Sequence, residues 1–171
     1  MRILFITGQG FEDSELLCPK YRFEEEGFQV DIAAPDWGEV KGKRGYPVSA
    51  NLAIDEAEPE AFDALFIPGG KVAEKLAMHD SIVKFVQEFA RLQRPIAAIC
   101  HGPLLLASSG ILKGRKATCY HKVSDKLQEA GAIYENSPVV VDNNIITSRQ
   151  PSDIPLFMKE VVKTLKGLKE A

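Results

Sequence analysis

The sequence predicts a doubly wound α/β fold, in which a mostly parallel sheet carries helices on both faces. Two observations predict it. Short apolar runs read as buried strands, and stretches with helical spacing separate them in regular alternation. Glycines and prolines punctuate most changes of pattern.

Residues 2–7 (RILFIT) form the first expected strand, running into Gly8. Residues 14–26 read as a helix stopped by Gly27, with Pro19 either in its first turn or bending it. Residues 28–33 (FQVDIA) give a second strand, broken by Ala34-Pro35-Asp36. Between 40 and 52, valines at 40 and 48 and glycines at 42 and 45 predict a small hairpin. Residues 63–67 (DALFI) enter the turn Pro68-Gly69-Gly70, and helical spacing then covers 72–78 and 81–92. Residues 95–99 (PIAAI) are a buried strand feeding Cys100, followed by a helix over 103–109 closed by Gly110. A short strand over 116–119 and a helix over 124–130 ended by Gly131 come next. The runs 139–141 and 145–147 flank Asp142-Asn143-Asn144, a good turn composition for a second hairpin, and an amphipathic helix covers 151–168. With no repeat, linker or low-complexity segment, residues 1–171 are expected to form one domain.

Hydrophobic residues make up 45% of the 171 positions and charged residues 26%, enough apolar material for one core and not an argument for two. The net charge is −3 and the basic residues are spread out, so no nucleic-acid footprint is expected; the densest basic stretch, 41–44, reads as a solvated hairpin tip. The N-terminal apolar run is too short for a secretory signal or for a membrane span of about 20 residues, which makes a cytoplasmic protein without a membrane partner the default expectation. The three cysteines, Cys18, Cys100 and Cys119, are an odd number that argues against a disulfide framework. His79, His101 and His121 form no recognisable ligand set, and no CxxC or HExxH spacing occurs, so neither metal nor cofactor is expected.

Parallel sheets carry their functional loops at the carboxyl ends of the strands, which selects the loops after Thr7, Ile67 and Ile99, with the loop after Cys119 as a fourth candidate. The strongest local signal is PIAAICHGPLLLASSG. An apolar strand runs into Cys100-His101-Gly102 and at once into a helix beginning near Pro103, a geometry like the nucleophile elbow of hydrolases. Free amides at such a helix start are expected to lower the pKa of Cys100 and hold it as the nucleophilic thiolate. A buried structural cysteine is the plain alternative.

Two further loops meet that edge. Glu12 and Asp13 follow the first strand, and Glu12 is the candidate for an acid/base or hydrogen-bonding partner of the sulfur; capping the next helix is the competing role for this pair. Gly69-Gly70 would let backbone N–H groups approach a substrate as an oxyanion hole, although a plain tight turn has the same composition. His101 pairs with Cys100 only if the elbow turns the two neighbouring side chains together. His79 and His121 read as surface or packing residues.

Together, Ala98-Ile99-Cys100-His101-Gly102-Pro103, Phe11-Glu12-Asp13, Pro68-Gly69-Gly70 and the stretch Thr147-Ser148-Arg149-Gln150-Pro151-Ser152-Asp153, similar to an SRxPxD signature, resemble the PfpI family of intracellular cysteine proteases. That family belongs to the superfamily of the parkinsonism-associated protein deglycase, with a class I glutamine amidotransferase-like fold. The resemblance spans nearly the whole chain. It implies a three-layer, flavodoxin-like sandwich with Cys100 as nucleophile, Glu12 hydrogen-bonded to its sulfur and His101 as catalytic partner. It further implies an oxyanion hole from Gly70 and His101 amides, Tyr120 as the family tyrosine near the nucleophile, and Glu74 from a neighbouring subunit completing a triad. The active unit would then be a homo-oligomer, a dimer or a hexamer. The pattern departs at Lys71-Val72-Ala73, where the family usually has arginine followed by proline two positions later, and Cys119 is a second thiol with a structural role expected. The expected function is a cysteine-dependent peptidase. A glyoxalase or deglycase acting on methylglyoxal-type carbonyls, with Glu12 as proton shuttle, is the related alternative, and a thiol redox sensor or chaperone the non-enzymatic one.

Overall fold

The computed structural model describes residues 1–170. Its first strand, β1 (Arg2–Ile6), leads through a six-residue turn-rich loop into α1 (Asp13–Glu25) and then β2 (Gln29–Ala34). A hairpin follows, of β3 (Gly38–Lys41) and β4 (Pro47–Ala50), and the chain then adds the two-residue β5 (Leu52–Ala53). Two single 3₁₀ turns precede β6 (Ala64–Ile67); α2 (Val72–Leu76), α3 (Asp80–Arg91) and β7 (Ile96–Ile99) come after it. The remainder is α4 (Pro103–Ser108), β8 (Lys116–Ala117), α5 (Ser124–Glu129), β9 (Ile133–Tyr134), the hairpin β10 (Val139–Asp142) and β11 (Ile145–Ser148), and α6 (Ile154–Glu170).

The central sheet has the order β10-β11-β7-β6-β1-β2-β5, parallel throughout except for the β10–β11 pair. Five of its strands, β2-β1-β6-β7-β11, carry the order of the flavodoxin-like fold, so the predicted three-layer α/β sandwich is what the chain forms. Two short strands escape the sequence pattern. Leu52–Ala53 joins the main sheet beside β2 instead of ending the first hairpin, and Ile133–Tyr134 pairs with β8. Two-residue strands carry no period of their own to read. Pro19 lies in the middle of α1, not in its first turn, so the carbonyl of Glu15 lacks the helical N–H it would otherwise receive.

The period of two along each strand divides the core between two faces. On one, Leu4, Ile6, Leu65, Ile67, Ile96 and Ala98 pack under α2, α3, α4 and α5. On the other, Ile3, Phe5, Phe66, Ala97 and Ile99 pack under α1 and α6, which bring Phe23 and Phe157. Phe66 is the hub of that second layer: its ring stacks on Phe5 at 4.6 Å and lies 5.7 Å from both Phe23 and Phe157. Because β7, β6 and β1 are adjacent, the loops leaving their carboxyl ends share one edge of the molecule.

Phe66→Ala should lower the unfolding free energy by about 3–5 kcal/mol in urea titrations, since it opens a cavity touching both helices of that layer. Trp37→Ala, at a side chain 74% exposed, should change it by less than about 0.5 kcal/mol.

Candidate active site

Cys100 is the one residue between β7 and α4 forced into the left-handed region, with φ of 65°. That turn is costly for a residue with a Cβ and persists only where neighbours over-determine it. Here they do. The Cys100 N–H donates to the Ser148 carbonyl on β11 (3.0 Å), and its carbonyl accepts from the Tyr120 N–H (2.9 Å). Gly102 follows where a Cβ would stand 2.5 Å from the Ile67 carbonyl oxygen and 2.9 Å from that of Ile99, so no larger residue fits. Gly69 is equally confined, since a Cβ there would overlap Glu15 Oε1 and lie 2.8 Å from the Cβ of Cys100. Gly70 has φ of 97° and sits against the backbone of Gly10, Phe11 and Glu12.

Cys100 is 8% exposed. The backbone N–H groups of Gly70 and His101 favour the ionised form of its thiol. His101 turns toward it as well, with Nδ1 3.4 Å from Sγ, and the Tyr120 ring covers His101 at a centroid distance of 5.2 Å. Glu74 is exposed on α2 and acts on the His101 ring through its field; among the described residues no hydrogen bond joins them. Cys119 belongs to the opposite face of the sheet, fully buried, with its thiol on the Tyr120 carbonyl at 3.2 Å.

The carboxyl beside the sulfur is Glu15, not Glu12. Glu15 is fully buried and accepts a hydrogen bond from the Gly69 N–H (3.0 Å); it shares the narrow space at Gly69 with the Cys100 side chain, and its Oε2 has no hydrogen-bond partner. Glu12 instead pairs with the Lys43 ammonium at 2.7 Å. The helix explains the exchange: Glu12 is the residue before α1, whereas Glu15 shares the inward face with Leu16, Pro19 and Phe23. A carboxylate on the apolar stripe of a helix is the signal that would have pointed to Glu15. Lys43 is the other residue missed, because a basic run between two glycines reads as a free hairpin tip.

The electrostatics correct a second expectation. Burial, and after it the charge of Glu12, push Glu15 up to about 8, so it keeps its proton at neutral pH. Burial, and after it Glu15, drive the Cys100 thiol upward against the amides of His101 and Gly70, which pull it down. The amides are in place but do not win, and the resting form is the thiol rather than a standing thiolate. Much of Glu15's opposition belongs to its charged form. While it carries its proton it can donate to the sulfur, and the two acids share protons between them. Burial also lowers His101, which stays neutral near pH 7 and can accept the thiol proton at Nδ1. Among the described residues no cluster of three or more metal-ligating side chains occurs, and no helix is long and apolar enough to cross a membrane.

A family model described as the DJ-1/PfpI family matches residues 1–164. The protein named Deglycase PfpI from Pyrococcus furiosus is 43% identical over 166 residues, which cover 97% of this chain and 100% of that one. The protein named Putative cysteine protease YraA from Bacillus subtilis is 38% identical over 96% of this chain and 98% of its own. Among solved structures, a two-domain protein of Anabaena variabilis with dj-1/thij/pfpi-like and ferritin-like domains superposes with a TM-score of 0.94 at 34% identity, covering 96% of this chain and 48% of that protein.

The raised carboxyl has a cost that pH should reveal. Glu15 titrates near its ordinary 4.5 when unfolded and near 8 when folded, so the folded state binds the extra proton between those values. Stability therefore falls as pH rises through that window. Glu15→Gln keeps the Gly69 bond without the ionisation, and should exceed the wild type in urea stability by on the order of 3 kcal/mol at pH 8, an advantage that fades toward pH 4.5.

Proposed function

The chain belongs to the DJ-1/PfpI family, and from that premise we propose that it is a cysteine-dependent enzyme acting on methylglyoxal-type dicarbonyls and their amine adducts. The observation that carries this reading is the neutral, buried Glu15 carboxyl held at the Gly69 amide beside the Cys100 sulfur. A dicarbonyl isomerisation needs an acid that can give up a proton and then take one from carbon, which is the work of a carboxyl poised near neutrality. The names of the Pyrococcus deglycase relatives favour the same class.

In the proposed sequence the thiol proton passes to His101 Nδ1, and Sγ bonds the aldehyde carbon. The carbonyl electron pair moves to oxygen, which the Gly70 and His101 amides hold and Glu15 protonates. The Glu15 carboxylate then removes the hydrogen from that carbon and returns it to the neighbouring carbon, while the hydroxyl proton passes from the first oxygen to the second, leaving a thioester and Glu15 as carboxylate. Water cleaves the thioester and gives one proton back to Glu15, the sulfur recovers its proton from His101, and lactate leaves. One carbon is oxidised and its neighbour reduced, so no external oxidant is required. An amine adduct joins the same route once its carbinol C–N bond breaks: the hydroxyl re-forms the aldehyde as its proton goes to the departing amine, and Sγ then attacks.

Peptide hydrolysis is the second reading, favoured by the 3.4 Å approach of His101 to the sulfur and by the relative named as a putative cysteine protease. It would use Glu74 of a neighbouring copy to orient His101, and hence a dimer or larger ring. It gives Glu15 no carbon-bound proton to move.

Purified protein supplied with methylglyoxal should form lactate. Cys100→Ser should abolish this, and Glu15→Gln should slow it by about 10²–10⁴-fold, the usual worth of a positioned acid–base group. Retained dicarbonyl turnover in Glu15→Gln would remove the proposal. Cleavage of labelled casein that needs Cys100 but survives Glu15→Gln would put the peptidase in its place.

A further inference from the structure

The β3–β4 hairpin tip is not free in solvent. Hydrogen bonds tie it to the loop that opens α1 and to Asp13 in the first turn of that helix. The Gly10 N–H donates to the Lys41 carbonyl at 2.8 Å, and the Lys43 N–H donates to the Phe11 carbonyl at 2.9 Å. The N–H groups of Arg44 and Tyr46 donate to the two oxygens of Asp13, at 3.1 and 3.2 Å. Gly42 completes the fit, since a Cβ there would run into the Asp13 carboxylate. These bonds involve no atom of the Lys43 side chain. They fix the place from which it starts, and it reaches the Glu12 carboxylate at 2.7 Å.

We propose that Lys43 is a positioning residue: it holds the Glu12 carboxylate away from Glu15 and offsets its charge, so that Glu15 takes up and gives up its proton without a second carboxylate opposing it. The role rests on the acid–base reading of Glu15 given above. As a stability device the pair would be weak, because the Lys43 side chain is about half exposed and water screens such a pair. Its setting gives it a different effect. Two carboxyl groups one helical turn apart oppose each other's ionisation, and a cation between them relieves the opposition. The charges around Glu15 have that pattern: Glu12 from its own loop pushes it up, Lys43 from the hairpin pulls it down, and Cys100 from the elbow shares its proton. Lys43 is in turn held charged by Glu12, with Arg44 beside it acting the other way. His101 feels Lys43 too, together with Lys71 and Glu74 from the start of α2. One ammonium therefore reaches all three members of the site.

The test reads Glu15 itself by carbon-13 NMR of its labelled carboxyl, assigned with Glu15→Gln, in protein whose fold is checked by its amide spectrum. Lys43→Met should move the Glu15 midpoint upward by about one pH unit, Glu12→Gln should move it downward, and Lys43→Arg should restore the wild-type value. In the Glu12→Gln background the effect of Lys43→Met should shrink several-fold, because the residue acts mainly through its partner. An unmoved midpoint in Lys43→Met, or a shift of equal size with and without Glu12, would overturn the proposal. Since this readout needs no turnover, opposite shifts in the two single variants, together with the smaller Lys43→Met shift in the Glu12→Gln background, would uphold the role of Lys43 even if the dicarbonyl assay failed.

Discussion

The carboxyl edge of the sheet is organised by the left-handed turn at Cys100. A side chain placed at the end of a parallel strand would ordinarily point into one of the two core layers. Reversing the backbone at that residue keeps Cys100 at the margin of the α1–α6 layer, where the amides of Gly70 and His101 act on its sulfur. The reversal survives because its backbone is bonded on both sides, to Ser148 and to Tyr120, and because Gly69 and Gly102 leave room for it. The Arg149–Asp153 pair, with two bonds of 2.9 and 3.0 Å, stiffens the start of the segment after Ser148 and so the strand end on which the cysteine leans.

A second constraint follows from the first. The space beside the sulfur is filled by a carboxyl that burial keeps protonated, and the folded protein is less stable above neutrality for holding it there. Functional groups are commonly strained in this way. The neutral acid in turn removes the charge that would oppose ionisation of the thiol, so the poise of the pair is a property of both groups and of what surrounds them. That surrounding includes a hairpin from a distant part of the chain.

Much of this arrangement was legible in the residues. The alternation of RILFIT, DALFI and PIAAI with helical stretches carried the fold, because strands buried on both faces must be apolar along their length. The elbow at Cys100-His101-Gly102 was visible as a strand meeting a helix with a glycine between. What was not legible depended on the direction of side chains and on long-range fields. Glu12 and Glu15 differ by three positions, and only the rotation of α1 decides which of them faces inward. Helix-start amides suggest a lowered thiol, yet the outcome is set by burial, which no local motif displays. Lys43 is 31 positions from Glu12, and its reach became apparent only when the Asp13 bonds brought the hairpin over.

The placement of the three thiols gives the chain three different clocks for chemical modification. Cys18 lies on the surface of α1, Cys100 is 8% exposed, and Cys119 is sealed under the opposite layer with its thiol pushed up to about 12. An alkylating reagent would accordingly count out the first at once, the second at a rate set by its neighbours, and the third only when that half of the molecule comes apart. Cys119 is thus a natural gauge of partial unfolding, carried by the protein without any added label.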